Sequence, residues 1–431
     1  MRRLGVIVVV LLAFPNAAFG VTFVISGHGW GHGVGMSQWG AEGLAQHGWG
    51  YQRILAHYYP GTSLRRSRNT ILRVLVARGR QRITISSTRR FRVVDAHGRS
   101  HRLGRRRVVL TRRLLRLRAP LSFVAGTAPL ALDGVAYRGE LVVRRNGHWL
   151  QVVDALRLES YLRGVVPWEM PSHWRQGALR AQAVAARTYA LATRNPGSSF
   201  DLYPDTRDQM YGGIRAESPM TNRAIDATAG LIVTWNGAPA LTYYSSTSGG
   251  RTESSHDAFR GGYVPYLRSV SDPYDAISPH HSWGPWHYNA RTLARRLGVP
   301  AVADVIERWN ASGRVAAVAL RWRGGVRVVG GDTIEAKLGL PSTWFTIRIA
   351  GTHGRAQRST RVRTPRIARR YLVVLSSVPL ADGRPHGAHV ARSDALPGLR
   401  PGYWVVYRGP YATRAEAAKH SAGGYVRKLA V

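Results

Sequence analysis

The sequence predicts an α+β fold, with a β-rich region, a short helical block and a small C-terminal α+β domain. Short β-branched runs separated by turn signals fill about residues 65–153. By contrast, the alanine-rich stretch from Ser172 to Arg194 is typical of a helix, with Ser172 as its predicted N-cap. The chain has 431 residues, of which 44% are hydrophobic. This is room for two or three domains with packed cores, and it excludes global disorder.

Basic residues dominate the charge of the chain. There are 62 Lys and Arg against 23 Asp and Glu, a formal net charge of +39, and only three of the basic residues are lysines. A GC-rich genome enriches arginine without functional demand, and attraction to anionic polymers is the functional alternative. With no cysteine, disulfides, thiolate zinc sites and cysteine nucleophiles are excluded.

The N-terminus has the pattern of a secretory signal peptide. Arg2 and Arg3 precede an apolar run over residues 4–14, and small residues lead to a cleavage position after Gly20. No later stretch approaches the roughly 20 apolar residues of a transmembrane helix. We therefore expect residues 1–20 to be removed and the protein to be secreted or held at the cell wall, without a transmembrane segment.

The first mature segment combines a loop and a helix. Residues 27–35 contain too much glycine for a helix, so they predict a loop. Ser37 can cap the segment that follows. Apolar residues at Tyr51, Ile54, Leu55 and Tyr58 have helical spacing, which predicts a short amphipathic helix.

Further elements follow the helical block. Residues 231–235 and 241–244 predict two strands of a hairpin, joined by residues 236–239 and followed by a Gly/Ser-rich loop from Ser245 to Thr252. Residues 289–348 predict one helix and several strands. Residues 349–369 are typical of a linker. Residues 370–431 predict a strand-helix-strand-helix order, with its clearest helix at 412–420.

Three separated motifs resemble the SpoIID/LytB family. They are HGVGMSQWGA at residues 32–41, LESYLRGVVPWEMP with ALRAQAVAARTY at 158–171 and 178–189, and YYSSTSGGRTE at 243–253. The resemblance covers roughly residues 22–348, so we expect residues 21–348 to form one SpoIID-like catalytic region. The Gly-His-Gly signature of the family's sporulation protein lies near its C-terminus, whereas here it lies at the start. The motifs must therefore meet in space for the resemblance to hold.

The resemblance implies an exported lytic transglycosylase that cleaves peptidoglycan glycan strands to 1,6-anhydro-muramyl ends, with Glu169 as the catalytic acid. In this reaction the C6 hydroxyl of the sugar attacks the anomeric carbon, so a single carboxyl group can donate a proton and then accept one. Ordinary glycosidases need a pair of carboxyl groups. No cofactor is implied.

The sequence leaves the setting of Glu169 open. The residue follows an apolar, strand-like run at 162–166 and precedes the predicted helix. Apolar surroundings would raise the carboxyl pKa, whereas the start of a helix would lower it. A purely structural alternative is that Glu169 caps the helix at Ser172 or pairs with Arg180.

Substrate contacts are expected from residues in all three motifs and in the segment DQMYG at 208–212, which also matches the family. The expected residues are His32, Gln38, Gln182, Arg187, Gln209, Tyr211, Tyr244, Ser245, Ser248 and Gly249. Structural alternatives are a solvated basic helix face for Arg187, a core aromatic for Tyr211 and a wide turn for residues 245–250.

Two other chemistries have weaker support in the sequence. Ser245, Ser248 and His256 lie close together, but no Gly-x-Ser-x-Gly elbow accompanies them, which argues against a serine hydrolase. The histidine pairs His28/His32 and His280/His281 lack companion carboxylates at a recognised spacing. We expect no metal site.

The C-terminal segment resembles a SPOR domain, through a strand ending in Gly-Pro-Tyr at 409–411 and the helix that follows. Such domains bind glycan strands stripped of stem peptides. A competing hypothesis is a non-catalytic wall-binding protein that tethers or stimulates a cell-wall amidase. A third, binding of nucleic acid or other anionic polymers through the arginines, lacks any nucleic-acid motif, and we expect no nucleic-acid partner.

Overall fold

The computed structural model describes residues 21–103, 106–350, 371–379, 390–392, 403–411, 414–419 and 425–428. The predicted signal peptide and residues 351–369 of the predicted linker lie outside this part of the chain. Contacts divide the chain into two units, His28–Trp283 and a second unit of Met1–Gly27 with Gly284–Val431. The predicted domain boundaries stay predictions. No helix in the described ranges is both long and apolar enough to cross a membrane.

The described residues form strands and helices throughout, which confirms the α+β class. The strands are β1 (Thr22–His28), β2 (Met36–Ser37), β3 (Ser63–Arg66), β4 (Ile71–Arg80), β5 (Arg82–Ser86), β6 (Arg92–Val94), β7 (Ser100–Arg102), β8 (Arg107–Thr111), β9 (Leu121–Val124), β10 (Leu130–Leu132), β11 (Val135–Tyr137), β12 (Glu140–Asn146), β13 (Trp149–Arg157), β14 (Leu231–Trp235), β15 (Ala238–Pro239), β16 (Tyr244–Ser245), β17 (Ser282–Asn289), β18 (Asp304–Trp309), β19 (Val315–Trp322), β20 (Gly325–Gly330), β21 (Phe345–Ala350), β22 (Tyr371–Pro379), β23 (Val390–Arg392), β24 (Tyr403–Tyr411) and β25 (Tyr425–Lys428). The helices are α1 (Gln38–Gln46), α2 (Tyr51–Tyr58), α3 (Leu158–Glu169), α4 (Gln176–Thr193), α5 (Pro219–Ala227), α6 (Ser255–Phe259), α7 (Ala290–Leu297), α8 (Gly331–Leu338) and α9 (Arg414–Lys419).

The predicted β-rich region is confirmed and contains two sheets. One has the order β4-β13-β12-β9-β6-β7 and the other the order β11-β10-β5-β8. Burial alternates along β5, where Ile83 and Ile85 are buried and Arg82 is exposed. Most arginines of this region therefore lie on solvated faces, as the alternating pattern predicts. Apolar side chains of both sheets share one core with α3 and α4.

The apolar run before Glu169 is helical, so its prediction as a strand is wrong. The buried residues of α3 are Leu158, Tyr161, Leu162, Gly164, Val165 and Val166. Their spacing covers one face of a helix that packs into the core, and this burial outweighs the β propensity of the two valines. Glu169 consequently lies at the carboxyl end of a helix.

The alanine-rich helix is confirmed over a shorter range than predicted. Helix α4 begins at Gln176 with Arg175 as its N-cap, so the capping role predicted for Ser172 is wrong. The Glu42 carboxylate of α1 accepts the backbone N–H of the N-cap residue Arg175 at 2.9 Å, the bond that a Glu at the third helical position makes in a capping box. This hydrogen bond ties the start of α4 to α1.

The N-terminal helices follow the sequence closely. Helix α2 has the predicted bounds, and the Ser37 hydroxyl caps α1 by accepting the Gly40 N–H at 3.1 Å. Helix α1 itself contains Gly40 and Gly43, and because glycine has a low helix propensity, propensity alone does not predict this helix. A Cβ at Gly40 would collide with Tyr58 and Asp272. The glycine is therefore required by close packing.

The predicted hairpin is half correct. Strand β14 pairs with β15 through a turn in which Asn236 and Gly237 both have positive φ (50° and 82°), as a two-residue hairpin requires. Residues 241–243 are not strand, however. Instead β16 pairs in parallel with β2, so that Tyr244 lies opposite Met36.

The other unit contains three antiparallel sheets, with the orders β17-β1-β21, β18-β19-β20 and β23-β24-β22-β25. Residues 289–348 hold two helices, α7 and α8, so the prediction of one helix is wrong; α8 begins without a side-chain cap and escapes the usual start signal. Helix α9 falls inside the predicted range 412–420. The described C-terminal elements run strand, strand, strand, helix, strand, and the SPOR-like assignment stays a prediction.

Candidate functional site

Glu169 is held by hydrogen-bond donors from three distant segments. The side-chain amide of Gln38 donates to Oε2 at 3.3 Å, and the backbone N–H of Met210 donates to Oε1 at 3.1 Å. The Tyr244 hydroxyl also hydrogen-bonds the carboxyl group. These contacts bring the Gly-His-Gly segment, the central motif and the tyrosine motif to one carboxyl group.

The electrostatic setting of Glu169 favours the protonated form. Burial raises the pKa of Glu169 above its ordinary value, and the hydrogen bonds from Met210, Gln38 and Tyr244 offset part of the rise. The carboxyl end of α3 acts in the same direction as burial, because its dipole is negative. The alternative in which Glu169 caps a helix at Ser172 is wrong, since α4 begins at Gln176.

A buried amide orients the Tyr244 hydroxyl. Gln209 donates through Nε2 to Tyr244 Oη at 2.7 Å and accepts the Tyr161 hydroxyl through Oε1 at 3.2 Å. Because Tyr244 Oη accepts from Gln209, its own proton can be donated to Glu169. Burial also raises the pKa of Tyr244 well above its ordinary range, so the hydroxyl keeps that proton.

Asp208 anchors the loop that carries Met210. Its carboxylate accepts the Tyr203 backbone N–H at 2.7 Å, and its own N–H donates to the Asp205 carbonyl at 2.9 Å. Burial raises the pKa of Asp208. The sequence signal for this loop was the DQMYG match, which identified the segment but not the backbone N–H that reaches Glu169.

The Gly-His-Gly loop and the tyrosine motif are joined by backbone hydrogen bonds. Trp30 and Thr247 exchange two of them, at 2.9 and 3.2 Å, and Met36 N–H donates to the Tyr243 carbonyl at 3.0 Å. Gly35 has φ of 73°, and a Cβ there would collide with Tyr243 O. The motifs therefore meet in space as expected, although the Gly-His-Gly segment lies at the start of this chain.

Two buried carboxylates, those of Asp272 and Asp275, hold this junction in place. The Ser248 hydroxyl lies 2.7 Å from Asp272 Oδ2 and 2.9 Å from Asp275 Oδ2, and the Gly249 N–H donates to Asp275 Oδ2 at 2.6 Å. His281 Nδ1 lies 2.6 Å from Asp275 Oδ1. Burial, together with the charge of Asp275, raises the pKa of Asp272 to about 6.

Serine hydrolase chemistry finds no support in this arrangement. Ser248 is fully buried and its hydroxyl contacts carboxylates. The His256 ring hydrogen-bonds the Gly261 carbonyl at 2.8 Å. Ser248 therefore fixes the loop and lacks the exposure of a nucleophile.

Arg187 has a structural role inside the protein, which argues against the predicted substrate contact. The guanidinium is fully buried and forms a bidentate ion pair with Glu159, at 2.8 and 2.7 Å. It also donates to the Leu231 carbonyl at 3.1 Å, and Glu159 accepts the Gly230 N–H at 3.0 Å. The pair joins α3, α4 and the start of β14.

Several other predicted substrate contacts are also internal. Gln182 and Ser248 are fully buried, Gln209 is 1% exposed, and the Gly249 N–H is used by Asp275. The Tyr211 hydroxyl donates to buried Asp154 at 2.7 Å, which matches the core-aromatic alternative. These contacts favour a structural role in the scaffold around Glu169, and substrate contact by these residues stays a prediction.

Four predicted substrate contacts remain, Gln38, Tyr244, His32 and Ser245. Gln38 and Tyr244 contact Glu169 directly, as described above. The His32 ring lies 5.9 Å from that of Tyr243 and accepts the Val34 N–H through Nδ1 at 3.0 Å. Ser245 is mostly buried beside Tyr244.

The sequence missed an aromatic set around the site. Trp168, next to Glu169, is 49% exposed. The rings of Tyr189, Tyr243 and Phe259 form successive contacts. Tyr189 and Tyr243 stand inside the recognised motifs and could have been selected there, whereas Phe259 stands outside them and carried no signal.

Within the described ranges, no group of three or more His, Cys, Asp or Glu side chains is arranged to hold a metal ion. His28 Nδ1 lies 3.1 Å from the Ser282 hydroxyl, and the His280 ring packs on Trp30 at 4.4 Å.

Comparisons with known proteins agree with the motifs. Residues 146–235 match the sequence model of the SpoIID family, described as stage II sporulation protein. The chain is 38% identical over 145 residues to an uncharacterised protein of Brachyspira hyodysenteriae, covering 32% of this chain and 38% of that protein. It is 40% identical over 123 residues to the amidase enhancer of Bacillus subtilis, covering 28% and 16% of the two chains.

A longer match is to stage II sporulation protein D of Bacillus subtilis, 29% identical over 219 residues. It covers 45% of this chain and 61% of that protein. The chain thus spans less than two thirds of the length of each of these relatives. Together, the family match at residues 146–235 and the similarity to sporulation protein D support the SpoIID family for this chain.

Proposed function

We propose that this protein is an exported lytic transglycosylase that cleaves the glycan strands of peptidoglycan, with Glu169 as its acid and base. The observation that carries the proposal is the environment of Glu169. Its pKa is raised by burial, and donors from Gln38, Met210 and Tyr244 converge on it. The similarity of the chain to SpoIID proteins and to a protein named amidase enhancer supports a cell-wall role.

In the reaction Glu169 gives one proton to the leaving sugar and takes another from the C6 hydroxyl of the remaining sugar. Protonated Glu169 donates to the glycosidic oxygen as the bond from that oxygen to the anomeric carbon breaks, and the leaving sugar departs with a hydroxyl group. The C6 hydroxyl of the remaining muramyl sugar then attacks the anomeric carbon and transfers its proton to the Glu169 carboxylate. The product is a 1,6-anhydro ring, and no water is consumed.

The three donors suit the two states of the acid. A raised pKa favours the protonated form of Glu169, which the first step needs. Once the proton has left, the N–H groups of Gln38 and Met210 and the Tyr244 hydroxyl stabilise the carboxylate. The carboxyl group is thereby held in one orientation through both proton transfers.

The second candidate is a wall-binding protein that stimulates an amidase, as the name of the Bacillus relative suggests. Only the transglycosylase requires the proton of Glu169. Purified chain should release glycan fragments with anhydro ends from peptidoglycan, detected by mass spectrometry, and Glu169→Gln should release none. Glu140→Gln, at an exposed carboxylate on β12, is the matched control and should cleave normally. Equal cleavage by Glu169→Gln and the parent, or hydrolysed ends, would contradict the proposal.

A further inference from the structure

A continuous set of aromatic rings leads outward from Glu169. Tyr244, which hydrogen-bonds Glu169, has its ring 6.4 Å from that of Tyr189. The Tyr189 ring lies 5.8 Å from Tyr243, and the Tyr243 ring lies 5.1 Å from Phe259. These spacings are those of interacting aromatic pairs, so the site and Phe259 belong to one packed surface.

The His32 ring contacts the last two rings of this set, those of Tyr243 and Phe259. It lies 5.5 Å from Phe259 and 5.9 Å from Tyr243, nearly edge-on to Tyr243 with 78° between the ring planes. The three rings of His32, Tyr243 and Phe259 therefore contact one another pairwise. They come from the Gly-His-Gly loop, the tyrosine motif and α6.

Phe259 is exposed although its backbone is firmly positioned. The side chain is 46% exposed. It ends α6, whose N-cap Ser254 accepts the Asp257 N–H at 3.2 Å. The next residue, Arg260, reverses the chain with φ of 53°, and His256 Nδ1 hydrogen-bonds the Gly261 carbonyl at 2.8 Å. These local bonds hold the ring at the surface.

A single exposed phenylalanine is ordinary on a protein surface. Phe259 differs because the rings behind it are contiguous with the carboxyl group of the proposed reaction. Sugar rings have apolar C–H faces and polar edges, which match aromatic faces that are interspersed with tyrosine hydroxyls. Phenylalanine carries no charge, so the surface favours a neutral ring over an anionic group.

We propose that Phe259, Tyr243 and His32 form a stacking subsite that binds a sugar ring of a glycan strand at a distance from the bond cleaved at Glu169. The inference rests on the proposed function for its substrate class. Phe259 is linked to the carboxyl group through the successive rings of Tyr243, Tyr189 and Tyr244, so we expect that a strand needs several sugars to reach it from the cleaved bond. The subsite therefore makes affinity depend on glycan length.

The experiment measures binding without turnover. Glu169→Gln, as the full chain, is titrated calorimetrically with N-acetylglucosamine oligomers of increasing length. Adding Phe259→Ala should weaken binding of long oligomers by about two- to tenfold, the range of a lost aromatic contact, and leave the shortest bound oligomer unaffected. Phe259→Trp should restore the length dependence.

The matched control is Trp149→Ala, which removes an equally exposed aromatic (46%) from the start of β13. It should bind all oligomers as the parent does. Unchanged affinity of Phe259→Ala for long oligomers, equal losses at Phe259 and Trp149, or no oligomer binding by the parent would each overturn the subsite. Thermal unfolding of each variant identifies a loss caused by misfolding, and in that case Phe259→Leu replaces the alanine variant.

This outcome is separable from that of the proposed function. A chain that binds in a Phe259-dependent manner but never produces anhydro ends retains the subsite and loses the catalytic assignment. If the chain cleaves peptidoglycan but its affinity for long oligomers does not depend on Phe259, only the subsite is refuted.

Discussion

The side-chain amide of Gln38 lies 3.3 Å from the carboxylate of Glu169, although 131 positions separate the two residues. Ser37, the preceding residue, caps α1 and pairs with Ser245 in the parallel strands β2 and β16. The same short segment therefore starts a helix, joins the tyrosine motif and supplies a donor to the proposed acid. A change at Gln38 should act on the chemistry through this one contact.

Gln38→Leu should shift the pH dependence of cleavage. The Gln38 N–H stabilises the ionised form of Glu169 and lowers its pKa, so its removal raises that pKa. The acid must be protonated, hence activity falls as pH rises through the pKa of Glu169. The alkaline limb of the pH–rate profile should move upward by about half a pH unit to one unit, the value of one hydrogen bond.

Gln46→Leu is the control for this shift. Gln46 also lies in α1, but it donates to Glu42 at 3.0 Å, and its variant should keep the parental profile. A downward shift in Gln38→Leu, or equal shifts in both variants, would contradict the role assigned to Gln38.

The contrast between α2 and α3 explains how far the fold could be predicted. The Tyr51–Tyr58 pattern has a clear helical period and is followed by a Pro-Gly stop at 60–61, so its extent follows from local residues. In α3 the run at 162–166 is apolar with β-branched residues, and its helical state depends on the core that it contacts. That core includes strands as distant along the chain as β4 and β5, which local propensity does not report.

The same limit applies to the site. The motifs identified Glu169 together with Gln38 and Tyr244, which both hydrogen-bond it. They also selected Arg187, which lies in the helical part of the central motif. Its partner Glu159 is 28 positions away, and only the fold shows that the two side chains form an ion pair inside the protein. Phe259 lies outside the motifs, and only its ring contacts in the fold identify it as part of the site.

Arg187→Met should destabilise the protein strongly, because it leaves Glu159 without its cation in a largely buried setting. Breaking a buried ion pair from one side costs about 3–5 kcal/mol. Arg163→Met removes an exposed pair with Asp226, whose carboxylate is 59% exposed, and should cost about 1 kcal/mol or less. Urea unfolding midpoints measure both. Similar small losses in the two variants would show that the Arg187 pair does not join α3 to α4 as inferred.

Asp154→Asn should stabilise the protein at alkaline pH. Burial raises the pKa of Asp154 from 3.8 to about 7. Between these values the folded state binds more protons than the unfolded state, so the contribution of this group to stability falls as pH rises. The amide removes that penalty. The melting temperature of Asp154→Asn should exceed that of the parent at pH values above 7, and the gain should shrink as the pH falls toward 4.

Asp226→Asn, at an exposed carboxylate, serves as the control for this prediction and should show no such pH-dependent gain. Asp272, with a pKa raised to about 6, acts in the same direction as Asp154 in the parent. A melting temperature of Asp154→Asn that stays below that of the parent across the whole pH range would refute the buried-acid argument.

Deleting residues 370–431 tests the proposed division of labour between a catalytic region and a SPOR-like glycan binder. A second site on the same chain raises occupancy on a long polymer without changing the chemistry, and a short fragment cannot engage both sites. The truncated protein should therefore be retained less on peptidoglycan, while its rate on short soluble glycans stays close to that of the full chain. Sedimentation with wall material, cleavage rates on both substrates and thermal unfolding measure these effects. If the segment is instead a structural cap, truncation will lower the melting temperature and reduce activity equally on long and short glycans, and an autonomous binding module would then be ruled out.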